Sequence, residues 1–169
     1  MTEDETGEAR RRPRRTARDV AFGLLARREH AGGELSRKLR GRGYEATEVR
    51  ELVDELAEAG WQSDARYVEG FLRERIQRGH GPLRIRHELR ERGVDDALIE
   101  RALREAGVDW GACAARTRIR RFGSTPPQDA EERARQYRFL QGRGYTGEHI
   151  RKALADVNAG DDDFELDWV

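Results

Sequence analysis

The chain has 169 residues, of which 39% are charged and 36% hydrophobic, with 33 basic side chains balanced by 33 acidic ones. Its mean hydropathy is −0.96. A large multi-domain enzyme is excluded by length, and so little apolar material favours a thin or elongated body over one with a deep core.

No stretch approaches the ~18–20 consecutive apolar residues of a membrane span, and the arginine-rich, acid-containing first residues lack the apolar segment of a signal peptide. A soluble, cytoplasmic protein with no membrane contact is therefore expected. Residues 1 to 16 carry Arg10, Arg11, Arg12, Arg14 and Arg15, a like-charge block that reads as a disordered basic tail. Lys38 and Lys152 are the only lysines, so positive charge is almost entirely arginine. That preference fits either a partner with carboxylates or phosphates or simply a bias in base composition.

From residue 17 onward the chain repeats itself. The segments Leu39-Arg-Gly-Arg-Gly43, Leu89-Arg-Glu-Arg-Gly93 and Leu140-Gln-Gly-Arg-Gly144 share the pattern L-x-x-R-G, with glycines 50 and then 51 positions apart. A period of that length signals stacked supersecondary units. Downstream of each glycine lies one helical stripe at i, i+3, i+4 and i+7. It is formed by Val49, Leu52, Val53 and Leu56, then Ile99, Ala102, Leu103 and Ala106, then Ile150, Ala153, Leu154 and Val157. Each repeated glycine is predicted to end the preceding helix in the left-handed conformation that glycine adopts at little cost.

Upstream of each L-x-x-R-G helix another helical stretch is predicted, through Ala17, Val20, Ala21, Leu24 and Leu25, through Ala65, Val68, Leu72 and Ile76, and through Ala115, Ile119 and Phe122. Breaks are expected at Gly32-Gly33, at Gly79-His80-Gly81-Pro82 with Pro82 as first helical residue, and at Gly123 to Pro127. Nothing alternates with period two over a useful length. The expected fold is all-α: three three-helix repeats over residues 17–60, 61–109 and 110–158, followed by an acidic tail at 159–169. Units this small gain a sufficient core by stacking on neighbours.

The inventory of reactive side chains is unpromising for catalysis. Cys113 is the single cysteine, so no internal disulfide or thiolate cluster forms within one chain, and its surroundings read as a buried helix face. The four histidines His30, His80, His87 and His149 have no metal-ligand spacing, Ser36, Ser63 and Ser124 sit in no nucleophile elbow, and no strand precedes the Gly-x-Gly pieces. No catalytic residue, metal or cofactor is expected.

Arginine placement says more. Residues 17–60 hold eight basic and nine acidic side chains and residues 61–109 ten of each, whereas residues 110–158 hold ten and five, a balance of +5. Arg86 and Arg90, like Arg116 and Arg120, share a helix face at i, i+4. Singly, each arginine is as consistent with a solvated, ion-paired surface as with a contact; as a cluster they point to an anionic partner. The candidate partner-binding residues are Arg84, Arg86 and Arg90 in the second unit and Arg116, Arg120, Arg121, Arg135 and Arg138 in the third. Tyr137 and Phe139 are either core or stacking platforms for single-stranded nucleic acid. Residues 159–169 carry −5; they either compete for that basic surface or form a solvated segment, and screening favours the latter.

Several segments together resemble the bacterial RecX family. They are Leu25-Ala-Arg-Arg-Glu-His30, Glu34-Leu-Ser-Arg-Lys-Leu39, Asp64-Ala-Arg-Tyr67, Arg78-Gly-His-Gly-Pro-Leu-Arg-Ile-Arg-His-Glu-Leu89, Asp109-Trp110 with Phe122-Gly123, and Arg138-Phe-Leu-Gln-Gly-Arg-Gly144. The likeness spans about residues 17 to 157 and leaves out both tails. It implies an elongated, curved array that lies in the groove of a RecA filament on single-stranded DNA. It further implies a regulator that typically inhibits the filament's ATPase, strand-exchange and coprotease activities in recombination, DNA repair and the SOS response; a non-catalytic monomer is expected. The alternative reading is a helical module that binds single-stranded nucleic acid directly.

Overall fold

The computed structural model describes residues 15–155; the tail assignments, apart from Arg15 and Thr16, and the stripe position Val157 lie outside them. Among the described residues there are nine helices and no strand. The first unit comprises α1 (Ala17–Leu25), α2 (Gly32–Arg40) and α3 (Ala46–Glu58). The second comprises α4 (Asp64–Gln77), α5 (Pro82–Glu91) and α6 (Asp96–Glu105), and the third α7 (Trp110–Phe122), α8 (Ala130–Gly142) and α9 (Gly147–Ala155).

Several helices begin at residues that supply a cap. Thr16 forms a reciprocal capping box with Asp19 at the start of α1, and Ser63, Asp95, Asp109 and Asp129 accept backbone N–H bonds at the starts of α4, α6, α7 and α8. Pro82 is the first residue of α5, where its missing N–H costs nothing. The predicted stripes are buried at Val49, Leu52, Val53 and Leu56 in the first unit, at Ile99 and Leu103 in the second, where Ala102 and Ala106 are half-buried, and at Ile150, Ala153 and Leu154 in the third.

The ends of α5 and α8 follow the glycine prediction. Gly93 and Gly144 have φ of 80° and 90°. The amide of Val94 donates to Leu89 O and that of Gly93 to Arg90 O, and Tyr145 and Gly144 repeat both bonds to Leu140 and Gln141. These are Schellman closures, with Leu89 and Val94 sharing one apolar cluster and Leu140 and Tyr145 another. In the first unit α2 stops at Arg40, so Gly43 stands beyond the helix rather than directly behind its cap.

One break is corrected. Gly32 and Gly33 are the first two residues of α2, not a linker. A Cβ on Gly33 would lie 2.6 Å from Arg92 O and 2.9 Å from Gly93 Cα. Glycine is required there because the start of α2 packs directly on the backbone that closes α5.

The same arrangement recurs one unit on. Gly81, which offers α5 no side-chain cap, donates its N–H to Arg143 O at 2.8 Å, and Leu83 N–H donates to Gly144 O at 3.0 Å. Amides orphaned at the start of one helix thus satisfy carbonyls at the end of another, with opposite dipole ends together. Further bonds tie the units in series. Gly32 N–H donates to Asp64 Oδ1 and Gln62 Nε2 to His30 O across the first junction. Arg120 and Arg143 donate to Gln77 O and Arg78 O across the second.

Each unit has its own apolar cluster, and the clusters join at the junctions. Ala31 of the first unit belongs to the second cluster, while Ile76 and Trp110 pack against both the second and the third. Helix pairs with extensive packing all lie within one unit. The result is a serial array in which a small core is extended by each neighbour.

Candidate functional site

The eight arginines singled out from the sequence fall into two electrostatic classes. In the second unit all three are engaged by carboxylates: Arg84 with Glu88 at 2.9 Å, Arg86 through two bonds with Glu100, and Arg90 with Asp96 at 2.6 Å. Burial opposes ionisation of Glu88, yet hydrogen bonds from Arg84 and Arg75 outweigh it and hold its carboxyl below the usual range. The Arg86 hydrogen bond holds Glu100 low, and the Arg90 hydrogen bond does the same for Asp96.

In the third unit the picture reverses. Arg116, Arg120, Arg121 and Arg138 have no carboxylate within ion-pair distance among the described residues, and Arg135 has only Glu132 at 3.7 Å. Arg116 reaches the sulfur of Cys113 at 3.0 Å, and Arg120 is occupied at the junction with Gln77 O. Arg121 and Arg135 lie over the ring of Phe122, 5.6 and 5.5 Å from its centroid, and Phe122 meets Phe139 edge to face at 5.2 Å. Arg143 covers Phe139 at 5.2 Å. Arg121, Phe122, Arg135 and Phe139 line an open cleft of about 460 Å³ between the end of α7 and α8. Cations over ring faces are attracted by the quadrupole and retain in-plane donors for an anion. The site therefore combines an apolar floor with an incompletely neutralised cationic rim.

Not every basic residue of the third unit belongs to that rim. Arg118 is 2% exposed and donates to Ser124 O and Thr125 O, pinning the loop between α7 and α8. Along the chain Phe122 reads as a stripe residue and as part of the Phe122-Gly123 resemblance, and its place in the cleft has no signature there because Arg135 and Phe139 come from a different helix. Tyr137 and Phe139 are half-buried against the third cluster.

Cys113 is buried, and burial pushes its thiol up despite Arg116 beside it, which is the setting of an inert cysteine. No group of three or more His, Cys, Asp or Glu residues suited to a metal ion occurs among the described residues. No helix among them is long and apolar enough to cross a membrane.

A serial array of three-helix domains with no strand among the described residues defines the class: an all-α helical-repeat protein. Family models for the first, second and third three-helix domains of RecX match residues 17–56, 63–103 and 112–154. The chain is 47% identical over 145 residues to "Regulatory protein RecX" of Halorhodospira halophila, covering 86% of this chain and 90% of that one. It is 48% identical over 142 residues to the protein of the same name from Pseudomonas entomophila, covering 84% and 89%. The chain belongs to the RecX family. Its fold is also that of the crystal structure of RecX from Lactobacillus salivarius, with a TM-score of 0.69 at 20% identity over 83% of this chain and 94% of that one.

Proposed function

We propose that this protein is a non-catalytic regulator that binds the RecA nucleoprotein filament and restrains its ATPase, strand-exchange and coprotease activities in the cytoplasm. The observation that carries the reading is the division of arginines. Arg116, Arg121 and Arg138 of the third unit lack carboxylate partners among the described residues, while Arg75, Arg84, Arg86 and Arg90 of the second unit hold theirs. Guanidinium groups of α7 and α8 that lack a carboxylate partner suit acidic protein surface or exposed phosphate. Family membership supports RecA as the source of that surface, and a serial array offers several units to successive protomers of a filament.

Within this reading Arg116, Arg121, Arg135 and Arg138 make the principal contacts. Arg84, Arg86 and Arg90 extend the face but contribute less, because each must first leave a carboxylate. Arg120 acts mainly by holding the second and third units together. The three-helix units span residues 17–60, 61–109 and 110–158, and one copy of the chain suffices for binding.

The test is RecA ATPase on single-stranded DNA, titrated with the protein. The wild-type chain is expected to inhibit. A triple R121E/R135E/R138E variant with unchanged helix content should need about tenfold more protein for the same effect, the scale of one lost charge-assisted contact or more. Unaltered inhibition by that folded variant would move the binding face elsewhere.

A further inference from the structure

The cleft at Phe122 and Phe139 is selective in what it fits. Its arginines ask for carboxylates or phosphates, and its rings ask for apolar or aromatic groups close beside them. Glu132 is the carboxylate ion-paired with a rim arginine among the described residues; it reaches Arg135 at 3.7 Å and none of the other rim arginines, and its oxygens also accept from Gln128 N–H and Gln136 Nε2. A ligand with acidic and aromatic groups interleaved would satisfy both demands.

The chain itself contains such a segment. Residues 161–168 read Asp-Asp-Asp-Phe-Glu-Leu-Asp-Trp, so that Phe164, Leu166 and Trp168 alternate with Asp163, Glu165 and Asp167. A period of two presents carboxylates along one side of an extended chain and large apolar groups along the other. Asp156 adds a further negative charge to the sequence following α9.

Distance permits the encounter. Lys152, near the end of α9, bonds Asp109 at the N-cap of α7 at 2.8 Å. The cleft lies at the opposite end of α7, whose 13 residues make it about 20 Å long. Residues 156–164 would span up to about 30 Å if extended. A tether of this length supplies the segment at roughly millimolar effective concentration.

We propose that the Phe122–Phe139 cleft is an intramolecular binding site for the acidic-aromatic segment 161–168 of the same chain. Carboxylates of the segment pair with Arg121 and Arg135 while its aromatic groups pack on the cleft floor. An external anion gains these two arginines only by displacing the segment. The site shares Arg121 and Arg135 with the filament face proposed above, but its test contains no RecA, so the two readings fail separately.

The experiment is paramagnetic relaxation in the full chain, with a nitroxide attached to the thiol that V169C introduces beside Trp168. Cys113→Ala removes the native thiol, and the helix content of the double variant is first matched to wild type. At low salt, amide signals of residues 119–123 and 132–139 should broaden selectively. The broadening should be lost in the added R121E/R135E background and at about 0.5 M salt, where the Debye length falls to about 4 Å. Broadening confined to α9, or spread evenly over the surface, would overturn the proposal. So would selective broadening of an isotope-labelled chain by separate spin-labelled chains in an equal mixture, since the occupant would then be a second copy.

Discussion

Gly93 does two things at once: its φ of 80° closes α5, and its Cα lies against Gly33 of the neighbouring unit. A β-branched side chain there meets both the left-handed backbone penalty and the adjacent backbone. Gly93→Val should destabilise by about 2 kcal/mol in denaturant unfolding, and an unchanged midpoint would remove the conformational reading of this glycine. Its role as a helix terminator was legible in the L-x-x-R-G pattern because left-handed closure is local. The contact with Gly33 was not, since it depends on how two units stack. That is why Gly32-Gly33 reads as a break along the chain and is instead the start of a helix.

The buried histidine is a second residue whose behaviour can be worked out. His30 is 2% exposed, with Nδ1 2.9 Å from Arg28 O and Nε2 3.1 Å from Lys38 Nζ. The neutral ring donating from Nδ1 and accepting from Lys38 satisfies both contacts. Burial lowers the pKa of His30, and burial likewise lowers those of His80 and His149. A group with a depressed folded pKa stabilises fully above its unfolded value and loses that contribution as pH falls. Hydrogen bonds from arginine hold Glu34, Glu88 and Glu100 below their ordinary range, so the same sign applies to them. Stability should therefore begin to decline below about pH 6.5 and fall further below about pH 4.3, the ordinary values of histidine and glutamate. A thermal melt series from about pH 8 to about pH 3 checks this. A melting temperature that rises between about pH 7 and about pH 5.5 would contradict it.

At the scale of the helix, charge was legible and its pairing was not. The i, i+4 spacing correctly places Arg86 and Arg90 on one side of α5, but their acceptors Glu100 and Asp96 come from α6. The surplus of arginine in the third unit was visible in composition. That Arg118 lies inside and Arg120 spans a junction follows only from packing of α7 against its surroundings. Reversing Arg86 places two like charges together and should cost stability, by tenths of a kcal/mol to about 1 kcal/mol for such a partly exposed pair, and reversing Arg90, whose pair with Asp96 is exposed, should cost less. Urea unfolding of R86E and R90E measures it, with inhibition of RecA ATPase expected to fall less than in R121E/R135E/R138E. The reverse ranking would place the contact face on the second unit.

Across the whole molecule, one structural device is used twice. The start of a middle helix that lacks a side-chain cap abuts the glycine-closed end of the next unit's middle helix, first at Gly33 and Gly93 and then at Gly81 and Gly144. Units joined this way form a series whose apolar clusters merge at Ala31 and at Ile76 with Trp110. The repeat, the helical class and the stacking were all legible from periodicity, because each repeat restates the same local instructions. The cleft at Phe122 and Phe139 was not, because its lining residues belong to two helices that only the fold brings together.

Recognition of a protein filament rather than bare nucleic acid is tested most directly by a salt-resolved binding comparison. Labelled single-stranded DNA, alone and coated with RecA, is titrated with the protein from low to physiological salt. Binding to bare strands through Z phosphates weakens with a log–log slope of roughly −0.7Z. Contacts to the filament should include protein surface and decline less steeply, leaving the filament preferred by about tenfold or more at physiological salt. Equal retention of bare DNA and filament there, with the same salt slope, would contradict filament recognition and make the protein a direct single-strand binder.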